Sequence, residues 1–130
     1  MALLIDTSVL IDAERRNRSL SSDLGADDRA ISVITASELL HGVHRAKDGT
    51  TRTRRAAFVE GLLSAVEALP ITPAVARVHA QIWSALEDEG GLIGAHDLWI
   101  AATALSHGMA VATANVRDFE RVPGLSVVPV

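Results

Sequence analysis

Short apolar runs separated by longer stretches of helical periodicity constrain this chain more than any other feature. Ala2-Leu3-Leu4-Ile5, Ala30-Ile31-Ser32-Val33 and Met109-Ala110-Val111-Ala112-Thr113 are each about one strand long and largely apolar. Runs of this kind read as strands covered on both sides, because a strand with one wet face alternates apolar with polar residues. Helical stretches between such strands act as crossovers, and crossovers make neighbouring strands parallel. The pattern predicts an α/β fold of three layers, α/β/α, around a short, mainly parallel central sheet of four to five strands.

The remaining segments fit that frame. Thr7 to about Glu14 reads as a helix fraying into the polar stretch 15–22, and a second helix is expected over about 35–45, with Leu39, Leu40 and Val43 on one face and Glu38 in its first turn. Asp48-Gly49-Thr50 reads as a turn, residues 51–68 as a long amphipathic helix, and residues 69–71 as a very short strand, since Pro70 donates no ladder hydrogen bond. Thr72-Pro73 has the form of an N-cap followed by a first-turn proline. Val75, Val78, His79, Ile82, Trp83 and Leu86 then mark the inward face of a helix ending near 87–91. A nearly all-apolar helix follows over 95–106, closed by Gly108. A single helical turn at 116–120 and a last strand at 125–130 complete one domain over residues 1–130, with no repeat or linker to divide it.

Composition removes several function classes. With 48% hydrophobic residues in 130, the chain can bury a core unaided, and with no cysteine it has neither disulfides nor thiolate metal sites. No apolar run approaches the roughly 20 residues that cross a bilayer, and no basic segment precedes the first apolar run. A soluble, cytoplasmic protein without membrane attachment is expected. A net charge of −4 argues against gripping nucleic acid by bulk electrostatics, although Arg45, Lys47, Arg52, Arg54 and Arg55 fall close together. That cluster reads either as a solvated helix face or as a rim that contacts phosphates. Two Trp, two Phe and no Tyr leave little material for stacking many unpaired bases.

Candidate chemistry rests on four acids, Asp6, Glu38, Asp97 and Asp118, each placed where an apolar run ends or a helix begins. In parallel α/β sheets such positions converge beyond the carboxyl ends of the strands, the usual ligand edge. Each has a purely structural explanation as well. Asp6 can cap the helix after it, Glu38 can form a capping box with Thr35, Asp97 can complement a helix dipole, and Asn115 with Asp118 can shape a turn. Their recurrence at strand ends favours a shared site. All-oxygen donors without cysteine select hard cations over zinc or copper, and crowded carboxylates raise one another's pKa unless a cation neutralises them.

Four motifs in order, Leu4-Ile5-Asp6-Thr7-Ser8-Val9-Leu10-Ile11-Asp12, Ser37-Glu38-Leu39-Leu40-His41-Gly42, His96-Asp97-Leu98-Trp99-Ile100-Ala101-Ala102-Thr103-Ala104 and Thr113-Ala114-Asn115-Val116-Arg117-Asp118-Phe119, span essentially the whole chain. In them the sequence resembles the PIN-domain ribonucleases and, among these, the VapC toxins of bacterial toxin–antitoxin pairs. The resemblance implies that Asp6, Glu38, Asp97 and an acid near the last strand bind Mg²⁺ or Mn²⁺ for RNA hydrolysis. Asn115 stands where many relatives carry Asp, so Asn115 and Asp118 share the fourth position. Asp6 and Asp97 are expected as main ligands, Glu38 as ligand or water-orienting base, Asp118 as outer ligand, and Thr7, Ser8 and Thr113 as supporting hydroxyls. The resemblance further implies a homodimer and neutralisation by a VapB-type antitoxin in a hetero-oligomer.

Two other classes compete with an RNA-cleaving enzyme: a catalytically silent module that binds RNA or a partner through the same fold, and a small phosphatase. Asp6-Thr7-Ser8 lacks the second Asp of an Asp-x-Asp phosphatase signature, and no Gly-rich phosphate loop is present. His79 and His107 are expected to pack or cap, His96 adjoins Asp97 with contact to substrate or a ligand as its lesser reading, and Trp83 and Trp99 are expected to lie in the core or a subunit interface. The expected RNA-choosing rim is residues 15–18 and 45–55.

Overall fold

The computed structural model describes residues 2–17 and 28–130. Along the chain run β1 (Leu3–Ile5), α1 (Thr7–Arg16), β2 (Arg29–Ser32), α2 (Val33–Arg45), α3 (Gly49–Ala65), β3 (Glu67–Leu69), α4 (Pro73–Glu89), α5 (Ala95–Ser106), β4 (Ala110–Thr113), α6 (Val116–Phe119) and β5 (Val127–Pro129). The five strands form one sheet in the order β3-β2-β1-β4-β5, every pairing parallel. The expected fold class is therefore the observed one, with the sheet wholly parallel. Part of the expected 15–22 stretch, including Arg18, lies outside the described residues.

Strand alternation divides the core into two layers. Leu3 and Ile5 of β1, with Ala110 and Ala112 of β4, pack against Val9, Leu10, Leu39, Val43 and Val59 from α1, α2 and α3. Leu4 and Val111, pointing the other way, meet Val75, Ile82 and Leu86 of α4 and Leu98, Ile100 and Ala101 of α5. Each fully buried Leu or Ile contributes roughly 1.5–3 kcal/mol against leaving it in water. The central helix α5 can be apolar nearly all round because Ile100, Ala101, Ala102 and Ala104 are all fully buried. Among the described residues no helix is long and apolar enough to cross a membrane.

Several boundaries differ from expectation, each for a local reason. Helix α2 begins at Val33, not near residue 35, because Ser32 caps it by accepting from the Ile34 N–H at 3.0 Å. Glu38 consequently sits in the second turn, and no capping box with Thr35 forms. Helix α3 begins at Gly49 under an Asp48 cap that accepts from Thr51 N–H at 2.8 Å. It ends at Ala65, because residues 67–69 pair with Ala30, Ile31 and Ser32 of β2. The parallel ladder overrides a helical pattern that runs on to residue 68, and Pro70 falls just past the strand. Thr72 and Pro73 do start α4, and Gly108 sits at φ +65° after the His107 C-cap. Trp83 is the exception on α4, being 48% exposed, so it does not lie on the inward face.

Sheet order locates the working edge. From β1 the chain moves outward to β2 and β3, then returns to the other side of β1 for β4 and β5. The reversal opens a crevice at the carboxyl ends of β1 and β4, where parallel sheets bind ligands. Asp6 follows β1 directly, and Asn115 lies two residues beyond β4.

Candidate active site

The crevice is furnished from four places. Asp6 leaves the end of β1, Glu38 projects from α2, Asp97 lies in the first turn of α5, and Asp118 lies in the short helix α6. Their proximity shows in Asp97, whose pKa is raised from 3.8 to about 6. Burial is the largest cause, followed by the negative charges of Asp6, Glu38 and Asp118, with His96 opposing them. One carboxylate thus feels the other three. The fold brings all four expected acids together from positions spread over the whole length of the chain.

Hydroxyl donors fix two of these groups. Asp6 is buried and occupies the N-cap position of α1, yet its side chain makes no capping bond. Its Oδ2 instead accepts from Ser8 Oγ at 2.7 Å and from Thr113 Oγ1 at 2.8 Å. These two donors fix the direction of the carboxylate, so Asp6 serves the crevice and not the helix cap. Thr7 Oγ1 donates to Glu38 Oε1 at 2.7 Å and lies 3.0 Å from Thr35 Oγ1. The threonine expected to form a capping box thus belongs to the hydroxyl chain that orients Glu38.

Asn115 pairs with Asp118, as the turn reading of the sequence expects, and also reaches Thr113. Its backbone N–H donates to Thr113 Oγ1 at 2.8 Å, and its side-chain Nδ2 donates to Asp118 Oδ2 at 3.0 Å. Thr113 therefore links Asp6 to Asn115, and Asn115 links onward to Asp118. His96 Nδ1 lies 3.4 Å from Glu38 Oε2, with the imidazole exposed at the mouth of the site. Asp97 alone of the four has no hydrogen-bonded partner for its carboxylate among the described residues.

The donor set is oxygen throughout, which fits a hard cation such as Mg²⁺ or Mn²⁺. Among the described residues no three His, Asp or Glu side chains close on a single point at ligating distance.

Other sequence candidates fall outside the crevice. His79 stacks on Trp99 with ring centroids 3.5 Å apart and planes 13° apart, and burial lowers its pKa. His107 caps α5 through its backbone. Arg52 donates to the Ala46 carbonyl at 2.9 Å and Arg55 to the Gly42 carbonyl at 3.2 Å, tying α3 to the last turns of α2. Those two arginines are structural ties, which narrows the basic cluster available as a rim.

The sequence profile of the PIN domain matches residues 3–125. Ribonuclease VapC of Rickettsia bellii is 38% identical over 130 residues, covering 100% of this chain and 97% of that protein. The tRNA(fMet)-specific endonuclease VapC of Salmonella typhimurium is 36% identical over 105 residues, covering 81% of this chain and 77% of that protein. The crystal structure of DNA-bound VapBC from Salmonella typhimurium superposes with a TM-score of 0.89 at 30% identity, covering 99% of this chain and 98% of that one.

Proposed function

Because the chain belongs to the PIN-domain family and, within it, to the VapC ribonucleases, we propose that it is a Mg²⁺-dependent endoribonuclease that hydrolyses RNA phosphodiester bonds. We propose further that it acts as the toxin of a toxin–antitoxin pair. The observation that carries this reading is the convergence of four acids from four elements on the sheet's carboxyl edge, where burial, and after it the charges of the other three, raise the pKa of Asp97 to about 6. Relatives of high coverage bear ribonuclease names, and similar solved structures are VapBC complexes.

Asp6, Glu38, Asp97 and Asp118 would hold the cation. When bound, Mg²⁺ or Mn²⁺ neutralises charge on a phosphate and makes water more acidic for in-line attack. The chain's own contribution is to hold these groups in place. Ser8 and Thr113 hold Asp6 in place, Thr7 orients Glu38, and Asn115 tethers Asp118. Glu38 has one oxygen held by Thr7 and the other turned toward His96, so it is the group suited to orient or deprotonate a water beside the phosphate. A VapB-type antitoxin as neutralising partner, a homodimeric state and a cytoplasmic site of action complete the proposal.

The test is cleavage of cellular RNA with Mg²⁺ present and after its removal by a chelator. Asp97→Asn is expected to lower the rate by at least about 100-fold, the scale on which positioned acid–base and charge-stabilising groups act. Wild-type rates in that variant, or undiminished cutting in chelator, would sink the proposal. RNA or antitoxin binding by a wild-type chain that never cuts would support the silent module instead.

A further inference from the structure

Across the mouth of the crevice His96 of α5 reaches toward Glu38 of α2, with its Nδ1 3.4 Å from Oε2. His96 directly precedes Asp97 in the first turn of α5. Consecutive helical residues point about 100° apart, so one turn of α5 can send Asp97 into the crevice and His96 across its mouth. Glu38 has the longest side chain of the four acids and hence the most rotamer freedom to lose. Asp6 is held by two hydroxyls, at 2.7 and 2.8 Å, on a shorter chain. Thr7 holds Glu38 through Oε1 alone, at 2.7 Å. A carboxylate fixed at one oxygen can still swing about that bond.

We propose that His96 is the positioning residue for Glu38: its Nδ1–H holds Oε2 while Thr7 holds Oε1, which aims the carboxylate's remaining lone pairs into the crevice. The inference rests on the nuclease reading above. An ionised carboxylate has about four acceptor sites, so two stay open for a water or a cation after both donors are in place. The 3.4 Å separation is longer than the about 2.7–3.2 Å of a formed N–H···O bond. Catalytic hydrogen bonds are commonly long before substrate is bound and tighten in the complex, and an imidazole 65% exposed has room to close the gap. Nδ1 carries a hydrogen in one neutral tautomer as well as in the charged ring, so the contact needs no change of charge on His96. The partner of one ring nitrogen selects the tautomer, and here that partner is a carboxylate. Direct contact of the ring with RNA would instead use Nε2, on the far side from Glu38.

The experiment separates the two nitrogens. An asparagine side-chain amide falls near the position of Nδ1, and a glutamine amide near that of Nε2. The substrate is a labelled single-stranded RNA oligonucleotide bearing a cleavage site mapped in cellular RNA, with saturating Mg²⁺. His96→Ala is expected to lower kcat about tenfold with KM unchanged, the scale on which groups behind a metal ligand act. His96→Asn should recover most of that loss and His96→Gln should not. A readout free of metal and turnover comes from nitrogen-15 NMR of the imidazole in chelator, at about pH 8.5, where an ordinary imidazole is neutral. The hydrogen is expected on Nδ1 in the wild-type chain and should shift toward Nε2 in Glu38→Leu. An unchanged kcat in His96→Ala overturns the proposal, as does a ring with its hydrogen on Nε2 in the wild-type chain. So does a raised KM that glutamine restores, which would make His96 an RNA contact. The two readings fail differently: a wild-type chain that never cuts refutes the nuclease reading and this role with it, whereas a chain that cuts equally well after His96→Ala refutes the role of His96 alone.

Discussion

Asp97→Asn should stabilise the metal-free protein at neutral pH while destroying its activity. The carboxylate of Asp97 is half-buried among three other acids, and its pKa rises from 3.8 to about 6. An acid whose folded pKa is raised binds more protons in the folded state than in the unfolded one between those two values. Its favourable contribution is therefore complete below pH 3.8 and is lost as pH rises through 6. A shift of about two units corresponds to about 3 kcal/mol at most, and partial solvent screening brings this to about 1–2 kcal/mol. Asparagine keeps the shape and removes the charge. No hydrogen bond is lost, since the Asp97 carboxylate has no partner among the described residues.

Urea unfolding with a chelator present provides the measurement. The variant is expected to be more stable by about 1–2 kcal/mol at pH 7, a midpoint shift of about 1 M for a domain of this size. At pH 4 the difference should shrink to a few tenths, because the wild-type group is then protonated. Added Mg²⁺ should reverse the order at pH 7, since a ligand at 100 times its Kd stabilises the chain that binds it by about 2.7 kcal/mol. Equal stability of the two chains at pH 7 without metal would refute the electrostatic account of the cluster. Equal Mg²⁺ response would refute the assignment of Asp97 as a ligand.

Two further substitutions probe the supports. Thr113→Val removes a buried hydroxyl that donates to Asp6 and accepts from the Asn115 N–H, both at 2.8 Å; a loss of about 1–3 kcal/mol is expected in thermal unfolding, with cleavage falling alongside, and an unchanged melting temperature would reject the relay. His79→Gln tests a buried imidazole whose pKa lies below its ordinary 6.5. Protons bind the unfolded chain preferentially there, so wild-type stability should be full above pH 6.5 and decline below it, whereas the variant's profile should be flatter over pH 5–6.5; parallel profiles would exclude His79 as the cause.

The sheet's first strand, the Thr72-Pro73 helix start and the Gly108 stop were legible because each is written in neighbouring residues. Asp6 after an apolar run and Asp97 before an apolar helix stood out for the same reason. What stayed hidden depends on which strands become neighbours. Thr113 and Asp6 are 107 positions apart, and only the placement of β4 beside β1 brings the hydroxyl to the carboxylate. Thr35 had a local partner available in Glu38 but takes a distant one in Thr7. Ser32, equally able to cap, wins the helix start because β2 ends there. Trp83 looked internal by spacing, yet the stack of His79 on Trp99 already fills the α4–α5 seam, leaving Trp83 to meet His79 edge-on from outside.

The hydroxyl network also decides which carboxylate responds to its surroundings. Asp6 accepts two hydroxyl bonds, Glu38 one, and Asp118 one from an amide, so each has a donor that holds it in place. Asp97 has none among the described residues, and burial, followed by the charges of the other three, raises its pKa to about 6. A proton relieves this charge, and a divalent cation bound as proposed would relieve the same charge and compete with it. Cation affinity should then fall as pH drops through about 6, the value at which Asp97 takes up its proton. On the proposed metal role, the three hydroxyls that fix Asp6 and Glu38 would leave control of occupancy to Asp97, whose carboxylate has no hydrogen-bonded partner among the described residues and whose place in the first turn of α5 is set by the buried helix behind it.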